Sequence, residues 1–154
     1  MLIINKLKDL QGGKLLTPQT YKYCIQYFNR LVSERVGSIR AKSLDVYQSK
    51  TVNGFTFSVM DPSNLMQVLE IFEETFSDPF EKEHIASLHS LFPNLFFTVI
   101  DNEQISGYSI YKIVPSITFL PFKVFWDAWL YSIAVPQAYR GKGLAKTLLV
   151  ETIG

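Results

Sequence analysis

Residues 126–154 read WDAWLYSIAVPQAYRGKGLAKTLLVETIG, and they decide the fold. Two interleaved sets of positions are apolar from Trp126 to Val135. One holds Trp126, Ala128, Leu130 and Ala134; the other holds Trp129, Tyr131, Ile133 and Val135. A strand apolar on both faces predicts a central strand covered on both sides. Pro136 lacks a ladder donor and holds Val135 extended, so pairing stops there. After Arg140-Gly141-Lys142-Gly143 the apolar spacing becomes helical, with Leu144, Ala145, Leu148, Leu149 and Thr152 on one face.

A strand, a Gly-rich turn and a helix in that order predict an anion cradle. The first backbone N–H groups of a helix have no intrahelical acceptor. Glycines remove side chains that would hold an anion away from them. Arg140 and Lys142 add positive charge beside the positive end of the helix dipole. The ligand this favours is a pyrophosphate. Two other phosphate motifs fit poorly. A Walker loop needs Gly directly before its Lys, and Ala145 precedes Lys146-Thr147. A dinucleotide fingerprint begun at Gly141 needs Gly or Ala where Lys146 stands.

Composition narrows the class further. A chain of 154 residues, 47% hydrophobic, has room for one domain, or for one domain and an extension. Mean hydropathy of +0.11 points to a sizeable core. Net charge is +1 with no basic block, which argues against a nucleic-acid surface. The lone cysteine, Cys24, forms no internal disulfide and no Cys-rich zinc pattern. No apolar run reaches the about 20 residues of a membrane span, and Met1–Asn5 is too short for a signal-peptide core. A reducing, cytoplasmic compartment is expected.

Upstream, Gly12-Gly13 breaks any regular element, and Thr17-Pro18 starts a helix with Thr as cap and Pro at the first position. Tyr21, Cys24, Ile25, Phe28, Leu31, Val32 and Val36 make its apolar stripe, which ends at Gly37. The stripe is expected to be buried against the downstream domain, another subunit, or a domain absent from this chain. Cys24 in it reads as a small hydrophobe. Ser38–Asn53 is polar and reads as a linker, which divides the chain into a helical extension, 1–53, and a domain, 54–154. Phe55–Met60 alternates as a strand. Asp61-Pro62 starts a helix whose apolar face is Leu65, Val68, Leu69, Phe72 and Phe76. A second helix follows Asp78-Pro79, with Ile85, Leu88 and Leu91 or Phe92 inward. Residues 95–114 read as an antiparallel hairpin turning at Asp101–Gln104. Pro115–Phe125 reads as a loop. The domain order is β-α-α-β-β-β-α.

With its Pro-x-x-Tyr-Arg-Gly-Lys-Gly lead-in, the turn resembles the acetyl-CoA-binding motif of the GNAT superfamily of N-acetyltransferases. That motif is Arg or Gln, two residues, Gly, one residue, Gly or Ala: here Arg140, Gly143 and Ala145. Gly107 also matches a glycine common in the family's third strand. The resemblance covers about residues 54 to 154. It implies an α/β fold with a mixed, mostly antiparallel sheet flanked by helices. It implies acetyl transfer from acetyl-CoA, with no metal, to a small-molecule or peptide primary amine by direct attack. The implied CoA-binding residues are Ile133, Ala134, Val135, Tyr139, Arg140, Gly141, Lys142, Gly143, Leu144 and Ala145. The first three would pair with the pantetheine arm through their main chain; the amides of Arg140–Ala145 would hold the pyrophosphate.

The sequence also departs from the family. A family domain continues through a fifth strand and a helix that often carries a tyrosine acid, and this chain ends at Gly154. That implies an inactive 154-residue chain and an edge of strand 126–135 open to pairing with a second copy. The alternative is a non-catalytic CoA-binding or interaction module. Histone-modifying members place a glutamate base four residues before the position of Ile133; here Trp129 stands there, and no base is assigned. Asp127 reads as capping or solvent-facing. Glu70, Glu73, Glu74, Asp78, Glu81 and Glu83 concentrate negative charge near the family's acceptor region, which favours a cationic amine; a solvated helix face is the plainer reading. His84 and His89, five apart, do not share a helical face and read as surface or packing residues.

Overall fold

The computed structural model describes residues 18–76, 79–119 and 122–153. Gly12-Gly13, Thr17, Asp78 and Gly154 lie outside them. The elements run α1 (Pro18–Ala41), β1 (Lys50–Val52), β2 (Phe55–Val59), α2 (Leu65–Phe76), α3 (Pro79–Leu91), β3 (Phe96–Asp101), β4 (Gln104–Phe119), β5 (Phe122–Ala134) and α4 (Leu144–Ile153). The strands form one sheet in the order β1-β2-β3-β4-β5, with every pair antiparallel.

Local chemistry sets the boundaries. Asn53 and Gly54 both have positive φ and close the two-residue turn between β1 and β2. The Asp61 carboxylate accepts from the Ser63 N–H at 2.8 Å, capping the turn of 3-10 helix that leads into α2. The inward residues of α2 and α3, including Val68, Leu69, Phe72, Ile85 and Leu88, pack with Phe92, Phe96, Tyr108 and Ile110 in one core layer. Leu144 and Leu148 of α4 pack with Phe57, Phe97, Val99 and Tyr111 in the other. Ala145, expected on the same face as Leu144 and Leu148, is exposed. Gly107 has a packing reason. A β-carbon there would crowd Val135 Cγ2 at 3.2 Å and the Ala134 carbonyl at 3.3 Å, so its absence lets the end of β5 settle against β4.

Four further expectations are corrected. The segment 115–125 is not a loop: β4 runs on to Phe119 and β5 starts at Phe122. Pro115 pairs opposite Trp126 in a stretch where β3 has already ended, and proline is tolerated where a strand has an open side. The segment 38–53 is not all linker, because it holds the last turn of α1 and β1. The organising strand is doubly covered only at its end, where Tyr131 and Ala134 join one core layer and Ile133 and Val135 the other. Among the described residues it is an edge strand, and Val124–Leu130 are exposed, Trp129 by 57%.

The fourth correction concerns α1. Gly37 does not end the helix but lies within it, and a β-carbon there would overlap the Ile113 carbonyl. The buried face of α1 is Glu34, Gly37, Ser38 and Ala41, spaced as one helical row. Small residues let the helix backbone lie directly on β4. The stripe of Ile25, Phe28, Leu31, Val32 and Val36 is therefore turned outward, with Phe28 exposed by 65% and Leu31 by 41%; Cys24 is half-buried.

Candidate functional site

The Gly-rich turn follows β5 through one turn of 3-10 helix, Gln137–Tyr139. Gly141 and Gly143 adopt φ of +79° and +75°, the left-handed region that side-chain-bearing residues rarely enter. A β-carbon on either would meet nothing within 4 Å, so both glycines face open space at the start of α4. The Gly143 carbonyl accepts the first helical bond from the Thr147 N–H at 3.0 Å, and the Thr147 hydroxyl also donates to it. Beyond that carbonyl the opening N–H groups of α4 point out of its N-terminal end.

A cleft of about 360 Å³ lies against this turn, lined by Val135, Tyr139, Arg140, Gly141, Gly143, Leu144, Ala145 and Lys146. Arg140 is anchored by its Nε–H, which donates to the Val135 carbonyl at 3.2 Å. Lys142 lies over the rings of Tyr139 and Phe55, at 4.9 and 5.7 Å. Ile133 lines a different cavity, and Ala134 is buried beneath Gly107. Lys146, dismissed with the Walker loop, lines the cleft and adds charge to it.

The second cavity, about 580 Å³, lies between β5 and helices α2 and α3. Phe72, Phe76, Glu81, Leu130, Tyr131, Ser132 and Ile133 line it. A β-bulge shapes its floor. Ser132 pairs with Ile110 and Leu130 with Tyr111, so Tyr131 is the extra residue, and a bulge of this kind re-aims a side chain. The Tyr131 hydroxyl accepts from Arg30 Nη2 at 3.4 Å. The same nitrogen is 4.0 Å from Glu81 Oε2. Beside it the Ser132 and Tyr108 hydroxyls share a bond of 3.1 Å; burial pushes the Tyr108 phenol up to about 12, against the opposing pull of that bond.

Arg30 is part of a charge cluster that fastens α1 to the domain. Glu34, 2% exposed, receives Arg30 Nε and Lys112 Nζ, each at 3.2 Å, on Oε1. His84 Nε2 stands 3.3 Å from the same oxygen without hydrogen-bond alignment. Burial alone raises the Glu34 pKa, but His84 and Lys112 outweigh it and hold the carboxyl at about 2. The His84 ring packs on Tyr131, and Lys112 also lies over that ring. His89 packs edge-on to Phe96, and burial lowers its pKa.

The acidic residues of α2 and α3 do not act as one rim. Glu70 and Glu74 line a separate shallow cleft with Glu103, Glu73 pairs with Lys82, and Glu81 lines the second cavity. Trp129 and Asp127 are exposed on β5. Among the described residues, no group of three or more His, Cys, Asp or Glu is placed to hold a metal ion. No described helix is long and apolar enough to cross a membrane.

A model of the acetyltransferase (GNAT) family matches residues 65–153. The chain belongs to the GNAT acetyltransferase family. Comparison with curated protein sequences finds no match. Among solved structures, the NatC complex bound to Gag peptide and CoA aligns with a TM-score of 0.56 at 20% identity, over 64% of this chain and 64% of that one. A Pyrococcus horikoshii protein, assigned provisionally as an acetyltransferase, aligns with a TM-score of 0.53 at 15% identity, over 70% of this chain and 36% of that one. These likenesses show a shared GNAT fold, and the chain spans less than two thirds of the length of either neighbour. Helix α1 lies outside the residues that the GNAT model matches.

Proposed function

We propose that this GNAT domain transfers an acetyl group from acetyl-CoA to a primary amine of a small molecule or peptide. The observation that carries the reading is the turn after β5. Two left-handed glycines open a cleft at the start of α4, and a β-carbon on either would stand in that open space. Main-chain N–H groups from Arg140 to Ala145 would hold the pyrophosphate, with Lys146 and Arg140 adding positive charge. Ile133, Ala134 and Val135 would pair with the pantetheine arm, leading it towards the cavity of Phe72, Phe76 and Tyr131. Acetyl-CoA supplies an activated thioester, which the neutral amine attacks directly. The CoA-binding set is the one named from the sequence, with Tyr139 and Lys142 beside the turn. The NatC complex, which shares the fold, is bound to a peptide and CoA; that agrees with the class of both substrates.

Three further assignments belong to the same reading. Residues 1–53 form the extension, which lends β1 to the sheet, and 54–154 the acetyltransferase domain. The compartment is cytoplasmic. The outer edge of β5, with Phe125, Trp126 and Trp129 exposed, pairs with a second copy.

Gly143→Asp tests the cradle. It places a carboxylate where the anion would lie and a side chain at φ of +75°. Calorimetric CoA binding is expected to vanish while the far-UV spectrum stays close to the parent's. Undiminished binding would reject the site. CoA binding by the full-length protein without turnover on any amine would favour the non-catalytic module instead.

A further inference from the structure

Helix α1 lies outside the family match and has a second row that its docking on β4 leaves unused. Ile25, Val32 and Ile39 recur every seven residues, with Phe28 and Arg35 between them. A spacing of three, then four, keeps a row on one side of a helix and is that of a coiled-coil seam. The row lies on the side away from Glu34, Gly37, Ser38 and Ala41, and all five of its side chains are exposed. It runs along about 21 Å of helix. We propose that this row docks an acidic amphipathic helix of a second protein.

Charge decides the occupant. Lys22, Arg35 and Arg40 are exposed on α1, and among the described residues none of them is in an ion pair. The helix has one carboxylate, Glu34, which is buried and taken up by Arg30 and Lys112. The solvent side of α1 is therefore apolar and cationic, with no carboxylate of its own. A second copy of α1 would bring cations only to cations, and like charges across a seam act against that pairing. The chain's own first 16 residues carry three lysines, Lys6, Lys8 and Lys14, against Asp9, so they do not complement the row either. A lipid surface takes an apolar face with its charges at the margins, whereas Arg35 stands within the row. A helix with carboxylates beside its apolar residues satisfies both features. One of those carboxylates would face Arg35, and a polar residue at one seam position fixes register.

Acetyl transfer is not required for this docking, and its test needs no CoA. The probe is a synthetic peptide of about three heptads, with Leu at its seam positions, Glu at the flanking positions and one Glu set to face Arg35. A twin peptide carries Lys in place of every Glu. Fluorescence anisotropy on the full chain is expected to show the Glu peptide binding about tenfold or more tightly than its twin. Amide exchange over residues 25–39 should slow when the Glu peptide is bound. Phe28→Asp and Ile39→Asp, both at exposed positions, should abolish binding and leave the melting temperature unchanged. Arg35→Glu should bring the two peptides within about threefold of each other. Vesicles of phosphatidylserine and phosphatidylcholine are expected not to sediment the protein. The proposal is overturned if neither peptide binds, if both bind alike, or if Arg35→Glu leaves their ratio unchanged. Vesicles that capture the parent but not Phe28→Asp would give the row to a membrane instead. Self-association abolished by Phe28→Asp but not by Trp129→Lys would give it to a second copy; either result also overturns the proposal.

Discussion

Glu34 is a carboxylate 2% exposed to solvent, surrounded by Arg30, Lys112 and His84. Its folded pKa of about 2 lies below the ordinary value of 4.5. A depressed carboxylate contributes stability above its unfolded pKa and loses it as pH falls through the folded one. The contribution is therefore complete above about pH 4.5 and gone near pH 2, amounting to at most ~3 kcal/mol. Chemical denaturation across that window should show an acid limb in the parent that shrinks in Glu34→Gln; equal limbs would mean that Glu34 is not the titrating group. Gly37 supports a second prediction with an unusual sign. Gly→Ala inside a helix ordinarily stabilises by up to about 1 kcal/mol. Here the added methyl overlaps the Ile113 carbonyl. Gly37→Ala should instead destabilise by about 1–3 kcal/mol, as overpacking does, read as a lower melting temperature. A rise would place α1 farther from β4 than the structure has it.

At the scale of elements, α1 docks through its polar and small row rather than its apolar one. A hydrophobic stripe read from sequence carries an expectation of burial, and here that expectation points to the wrong face. Leu31 is 41% exposed, so Leu31→Ala should change stability by no more than about 0.5 kcal/mol. Leu148, fully buried between α4 and the sheet, should cost about 2–5 kcal/mol on the same truncation. Thermal melts of the two variants side by side decide this. A large loss at Leu31 would return the apolar stripe to the core. Helix α4 is also tied to the sheet by polar contacts: the Tyr111 and Thr152 hydroxyls share a bond of 2.7 Å, and Lys50 of β1 meets Glu151 at 2.7 Å. These contacts hold the C-terminal end of α4 against β1 and β4.

For the molecule as a whole, the exposed apolar surface is concentrated on two features: the outer face of α1 and the β4–β5 arm. Phe125, Trp126, Trp129 and Leu130 lie along an edge that has no strand beside it among the described residues. Such an edge is a template for another strand. The 154-residue chain should therefore associate as its concentration rises, seen by size-exclusion chromatography with light scattering. Lysine replacing Trp129 should reduce association, because inward or edge charges block strand addition. A monomer at every concentration tested would show that the arm is kept apart by its own twist and bulge.

Much of this protein was legible in its residues, because the decisive signals are local. The strand–turn–helix at 126–154, the order β-α-α-β-β-β-α and the glycines at 141 and 143 depend on periodicity and backbone conformation within a few neighbouring positions. The hairpin at Asn53-Gly54 was missed, although Asn-Gly is a strong two-residue turn signal, because its polar surroundings read as linker. Tertiary structure decided the rest. Which face of α1 goes inward depends on Gly37 meeting a carbonyl 76 positions away at Ile113, and no periodicity records that distance. The edge position of β5 depends on which strands lie beside it. Arg30, Glu81 and Tyr131 meet from three elements, and their polar groups couple across space rather than along the chain. Local conformation is encoded where it occurs; burial and charge pairing exist only once distant segments meet.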